Sequence, residues 1–192
     1  MKQRADVSIV RIHDVPDAIV ELFRNTFSRH PVSRFDSSLA RAFLGTFARH
    51  ATFLVARDAS LNEVGFLIGG LASVLDSSRA QFIRKRFLWM AAASLHDARL
   101  MRSLFARVPP KHPPDTKHSC YQVRFIAVAP NVSGRGVGTR LLQAFEQTLP
   151  PGSSYHAWTL AGEHGAQDFY RANGFERDLA IGDHIRFCKQ IS

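Results

Sequence analysis

Apolar residues change their spacing several times along the chain, and each change marks an element. VSIVRI (7–12) reads as a short strand. In the following HDVPDAIVELFRNTF a proline stands near the first turn, with Ile19, Leu22, Phe23 and Phe27 at helical spacing. A second helix is expected from about Ser37, with Asp36 as its N-cap and Leu39, Phe43, Leu44 and Phe47 on its apolar face. ATFLVARD and EVGFLIGGLA are strand-like and are joined by the turn-rich ASLN, which predicts an antiparallel hairpin. From Asp76 a long helical pattern begins, which His96–Asp97 divides in two, and PPKHPPD ends it with a stiff connector. CYQVRFIAVAP is the strongest strand pattern. It is followed by NVSGRG, the helix VGTRLLQAFEQTL, the strand YHAWTL, the helix EHGAQDFYRANGF and the strand HIRFCKQI. Strands interleaved with helices argue an α/β domain of two or three layers.

Length and composition narrow this further. The chain has 192 residues, 45% of them hydrophobic, enough for one domain with its own core. No repeat and no linker separates two cores, so residues 1–192 are expected to form a single domain. No apolar run reaches the roughly 18 residues of a membrane span. The start, MKQRADVSIV, lacks the apolar stretch of an export signal. Cys120 and Cys188 lack metal-ligand spacing and read as reduced thiols. A cytoplasmic address without a bound metal is the expectation. The formal net charge of +9 points to an anionic partner. Within 79–107, Arg79, Arg84, Lys85, Arg86, Arg99, Arg102 and Arg107 stand against Asp97 alone.

The glycines of SGRGVG (133–138) supply the first chemistry. A strand, a glycine loop and a helix start form an anion site: backbone N–H groups converge and the helix dipole adds positive charge. A nucleotide P-loop would need Gly-Lys-Ser/Thr at the loop's end, which is absent. A dinucleotide fingerprint would need a third glycine where Thr139 stands.

SGRGVG after an apolar strand end resembles the pyrophosphate loop of the GNAT acyltransferase family, [QR]-x-x-G-x-[GA]. Ser133 stands at the first place, and Gly136 and Gly138 match the rest. EHGAQDFYRANGFE (163–176) resembles the family's second block, N-x-x-A-x-x-[FLY]-Y-x-x-x-G-F. Ala166, Phe169, Tyr170, Gly174 and Phe175 are in register, and Glu163 replaces the usual Asn. The resemblance implies a mixed, mostly antiparallel sheet flanked by helices, with residues 73–119 as a helical insert before the central strand.

It also implies a co-substrate, acetyl-CoA or another acyl-CoA, and transfer to an amine by direct attack. Ser133, Gly134, Arg135, Gly136, Val137, Gly138 and Thr139 would hold the pyrophosphate, with Arg135 and Arg140 adding charge. Ile126, Ala127 and Val128 would offer backbone groups to the pantetheine arm, and an amide near Val128 would polarise the thioester. Glu163, Ala166 and Phe169 would complete the cofactor site, and Tyr170 would protonate the departing thiolate. Where many relatives place a glutamate base, Gln122 stands instead. His118, His156, Glu163 and His164 are the neighbouring titratable groups.

The insert holds Phe82, Ile83, Phe87, Leu88, Trp89 and Met90 among its apolar residues, too many for a solvated arm. They call for a cover: the domain itself or a second subunit in a homodimer. A substrate lid and peripheral contact with an anionic membrane are the alternatives. No nucleic-acid module is visible, so none is expected as partner. The expected activity is N-acylation of a small-molecule primary amine, such as a nucleotide-linked amino sugar. The competing expectations are a protein or peptide amine as acceptor, or an acyl-CoA-sensing module without turnover.

Overall fold

The computed structural model describes residues 6–94 and 121–191, with the side chains of 86–94 excepted. The His96–Asp97 break, the PPKHPPD connector, His118, Cys120 and the side chains of Arg86, Arg99, Arg102 and Arg107 lie outside the described part. The first strand, β1 (Val7–Arg11), leads into α1 (Asp17–Thr26), a 3-10 turn at Pro31–Arg34 and α2 (Ser37–His50). Asp36 caps α2, its carboxylate accepting from the Leu39 amide at 2.8 Å and the Ser38 hydroxyl at 2.6 Å. Those hydrogen bonds hold its carboxyl below the usual aspartate range. The hairpin β2 (Thr52–Asp58) and β3 (Glu63–Leu71) follows as expected.

β3 runs directly into α3 (Ala72–Ser94), so the helix starts four residues before Asp76. Leu75 and Phe82 of α3 are buried in the core, which draws the first turn into the fold although SVLD has little helical signature. The chain continues through β4 (Tyr121–Val128), α4 (Val137–Glu146), β5 (Ser154–Leu160) and α5 (His164–Ala172). It then forms β6 (Glu176–Ile181) and β7 (His184–Gln190). β6 was not legible in the sequence. ERDLAI is a largely exposed edge strand, and Asp178 bulges out of its register with β7.

The sheet order is β1-β2-β3-β4-β5-β7-β6. Every pairing is antiparallel but one: β4 and β5 run parallel. Helices cover both faces. Phe23, Phe43, Phe47 and Leu75 of α1, α2 and α3 pack with Phe53, Phe66, Ile68 and Phe125 on one side. Leu141, Phe145 and Tyr170 of α4 and α5 pack with Leu67, Val123, Tyr155 and Phe187 on the other. This double burial explains why EVGFLIGG is an almost unbroken apolar run. Described relative to these helices, the sheet has an α1–α3 face and an α4–α5 face.

Candidate active site

The parallel ladder is short. Only Tyr121↔Tyr155, Gln122↔His156 and Val123↔Ala157 pair, although β4 continues to Val128 and β5 to Leu160. Beyond these rungs the two strands part, and a wedge opens at the centre of the sheet. Where it opens, β4 bulges: Phe125 pairs with Ile68 and Val123 with Gly69, leaving Arg124 extra. Val123 therefore packs on the α4–α5 face and Phe125 on the α1–α3 face, although they are only two residues apart.

Above the bulge, the backbone direction follows from one hydrogen bond. The Ala129 amide donates to the Val64 carbonyl at 2.8 Å, so residues 129, 127 and 125 turn their backbone groups to β3. Residues 126 and 128, between them, turn theirs into the wedge. Of the three β4 residues expected at the cofactor, Ile126 and Val128 present their backbone to this opening. Ala127 presents its backbone to β3 and buries its methyl group on the α1–α3 face.

At the wedge mouth lies the glycine loop. Ala129 leads into a 3-10 turn at Pro130–Val132, and Gly134 (φ 73°) and Gly136 (φ 83°) are in left-handed conformation. Gly136 caps α4, and the first helical bond runs from the Arg140 amide to its carbonyl at 3.0 Å. The amides of Val137, Gly138 and Thr139 thus project from the helix start, as an anion site requires. Ser133, Gly134 and Arg135 are exposed beside them. Gly138 is bare for a different reason. A Cβ there would stand 2.9 Å from the Phe169 ring, so this glycine lets α4 and α5 approach each other.

The second block folds onto the far side of the wedge. Glu163 begins α5, its carbonyl accepting from the amides of Ala166 and Gln167, and its exposed carboxylate lies 3.8 Å from Arg29. Buried Gln167, which the sequence reading passed over, donates to the carbonyls of Leu160 (3.3 Å) and Ala161 (2.8 Å) and so ties α5 to the end of β5. The only hint of it was a polar residue on the inner face of an amphipathic helix. Tyr170 is buried at 5% exposure, its ring stacked on Phe187 and edge-on to Phe169 and Phe175. Burial raises its phenol pKa, so it stays protonated well beyond neutral pH. Deeper in this face, Tyr155 donates to Glu146 at 2.5 Å, and Lys189 donates to the same carboxylate oxygen at 2.6 Å.

The α1–α3 face of the wedge carries a different set of groups. His156 is buried at 7% exposure between Gln122 on β4 and Cys188 on β7, its register partners. Trp158 stands on the same face of β5, with the Arg186 guanidinium 5.8 Å from its ring centre. Arg186 makes a two-pronged pair with Asp178, the closest contact being 2.8 Å. Arg124 pairs with Asp76 and so fastens the start of α3 over β4. His30, from the turn after α1, lies against Phe23, Phe43 and Phe125 at 5.4–5.7 Å between ring centres, and its Nδ1 accepts from the Val32 amide. Of the basic segment, Arg84 and Lys85 border a groove of about 1000 Å³ along α3, with His50, Ser73 and Ser77. Among the described residues, no cluster of His, Cys, Asp or Glu has the make-up of a metal site. No described helix is long and apolar enough to cross a membrane.

A sheet split beside a β4 bulge, with a glycine loop at the head of the following helix, is the arrangement that the resemblance of the two motif blocks to the GNAT family implies. The comparisons agree. The family model described as an acetyltransferase (GNAT) domain matches residues 105–177. An acetyltransferase of the GNAT family from Bacillus cereus superposes with a TM-score of 0.60 at 14% identity, over 97% of this chain and 99% of that one. SsHAT gives 0.64 at 18% identity, over 95% and 98%. An acetyltransferase from Thermus thermophilus gives 0.57 at 13% identity, over 96% and 97%. Among curated proteins no sequence matches. Residues 105–177 thus match a GNAT acetyltransferase domain, and the chain as a whole shares the fold of these structures.

Proposed function

We propose that the protein is an acyl-CoA-dependent N-acyltransferase, with acetyl-CoA as the donor and the primary amine of a small molecule as acceptor. The observation that carries this reading is the open edge of β4. Beyond Val123 it has no strand partner on the β5 side among the described residues, while the backbone of Ile126 and Val128 faces the gap. An amide-rich pantetheine arm fits such an edge as an added strand would. The loop amides of Gly136, Val137, Gly138 and Thr139, with Ser133, Gly134 and Arg135 beside them, suit a pyrophosphate. Phe169 packs against Gly138 at the head of α4, and in this reading Ala166, Phe169 and Glu163 complete the cofactor site from the α5 side.

In this reading the Val128 amide donates to the thioester oxygen and stabilises the charge that develops there. The Tyr170 hydroxyl, kept protonated by burial, returns a proton to the leaving sulfur. The acceptor amine approaches from the α1–α3 face. A nucleotide-linked amino sugar is the acceptor class we favour, because Arg84 and Lys85 on α3 border a groove whose positive charge suits its phosphates.

The test is thiol release from acetyl-CoA across a panel of primary amines that includes UDP-linked amino sugars, free amino sugars and lysine peptides. Release with amino sugars supports the whole reading, and release with peptides alone transfers it to a protein acceptor. Tight acetyl-CoA binding with no release on any amine would instead identify a non-catalytic sensor.

A further inference from the structure

We infer that Arg79 and Arg124 together form a binding site for an anionic group of the acceptor, a phosphate or a carboxylate. This rests on the proposed N-acyltransferase reading and adds to it what the acceptor carries besides its amine. The site begins at the β4 bulge. Arg124 is the extra residue there, at the level where the ladder between β4 and β5 stops after Val123↔Ala157. Its guanidinium pairs with Asp76 near the start of α3, so it lies on the α1–α3 face, from which the amine approaches. Asp76 and Arg79 are three residues apart on that helix and therefore share one of its sides. Two guanidinium groups thus stand against one carboxylate.

The surroundings make the imbalance costly. The Arg124 side chain is only 16% exposed, and its buried Nε has no hydrogen-bond partner. Among the described residues Arg79 makes neither a hydrogen bond nor an ion pair. Burial, and next to it the Arg124 guanidinium, lower the Arg79 pKa from the ordinary arginine value, whereas Asp76 raises it. Both arginines stay charged, since a guanidinium keeps its proton in proteins. One positive charge of the three groups is therefore left over, partly withdrawn from water. By comparison, Arg186 on the same face is matched by both oxygens of Asp178.

An anion between Arg79 and Arg124 supplies the missing charge and accepts from their N–H groups, which suit phosphate and carboxylate alike. It is not the donor's phosphate, because the glycine loop follows the other end of β4. Arg124 stands four residues before Val128, whose amide is placed at the thioester. The acceptor is accordingly elongated, with its anion roughly 10 Å from its amine along the strand direction. A nucleotide-linked amino sugar spans that distance, and an α-amino acid does not.

The experiment uses the full chain, saturating acetyl-CoA and a set of acceptors sharing one primary amine: a neutral amino sugar, its 1-phosphate, its uronate and its UDP conjugate. R79Q should raise KM for the charged acceptors about tenfold or more, the loss expected for a charge-assisted contact. Their kcat, the KM of the neutral sugar and the KM of acetyl-CoA should stay within about twofold. D76N removes the one carboxylate and should lower the KM of the charged acceptors, a reversal of sign that a purely structural role does not produce. The charged acceptor with the largest loss in R79Q identifies the anion as phosphate or carboxylate. An equal loss on neutral and charged acceptors, or a wild type that prefers the neutral sugar, overturns the site. Where R79Q fails to fold, D76N decides: an unchanged or raised KM for the charged acceptors overturns the site. A wild type that acetylates none of these sugars, or no amine at all, refutes the acceptor class or the enzyme reading respectively. The site is then read by calorimetry, with inorganic pyrophosphate titrated into the CoA-saturated protein. Weaker binding to R79Q than to the wild type upholds it; equal binding, or none to the wild type, refutes it.

Discussion

Single residues in this protein often serve two demands, and Tyr170 is the clearest case. Its ring fills the α4–α5 core beside Phe175 and Phe187, and its hydroxyl, held protonated by burial, is the group we propose as proton donor to the leaving sulfur. Removing the hydroxyl separates the two. Y170F should keep the melting temperature and acetyl-CoA affinity of the wild type while kcat falls by about 100-fold or more, measured by thiol release. A variant with unchanged kcat would reduce Tyr170 to a packing residue. The sequence showed Tyr170 through its place in a recurrent block. It did not show Gln167, whose two hydrogen bonds to the end of β5 depend on contacts that helical periodicity cannot express. Nor did it separate His156 from His164: both neighbour the site in sequence, but the first is buried within β5 and the second is exposed at the start of α5.

Among the elements, the glycine loop and α4 were read correctly for position and only partly for cause. The spacing of SGRGVG predicted an anion cradle. In the structure, two of its three glycines provide left-handed backbone, and the third provides room for Phe169. A β-branched residue at Gly136 would have to adopt φ near 83°, at a cost of about 1–2 kcal/mol or more, or distort the helix start. G136V should therefore bind acetyl-CoA at least about tenfold more weakly by calorimetric titration, a loss of about 1.4 kcal/mol. Unchanged affinity would refute the loop assignment. β6 escaped the sequence reading because an exposed edge strand with a bulge needs neither alternation nor a β-rich composition. The start of α3 was placed late because burial of Leu75, rather than helix propensity, recruits its first turn.

For the whole molecule, the proposed function rests on the short ladder between β4 and β5. β3 and β7 hold β4 and β5 along almost their full lengths, while β4 and β5 hold each other for three rungs only. The strand order and the wedge are non-local. Neither follows from the apolar pattern of β4, which reads as any buried strand. They were accessible in advance only through the two motif blocks that flank β5. Helices pack on both faces of the sheet that carries the opening.

Amide exchange on the full chain, with and without acetyl-CoA, tests this account most directly, because neighbouring amides of one strand should respond differently. Binding should protect Ile126 and Val128, which face the wedge, together with the loop amides at Gly136–Thr139. Phe125 and Ala127, already bonded to β3, should change little. Acetyl-CoA binding that leaves Ile126 and Val128 exchanging as before would contradict the account, since the donor would then lie somewhere other than the gap between β4 and β5.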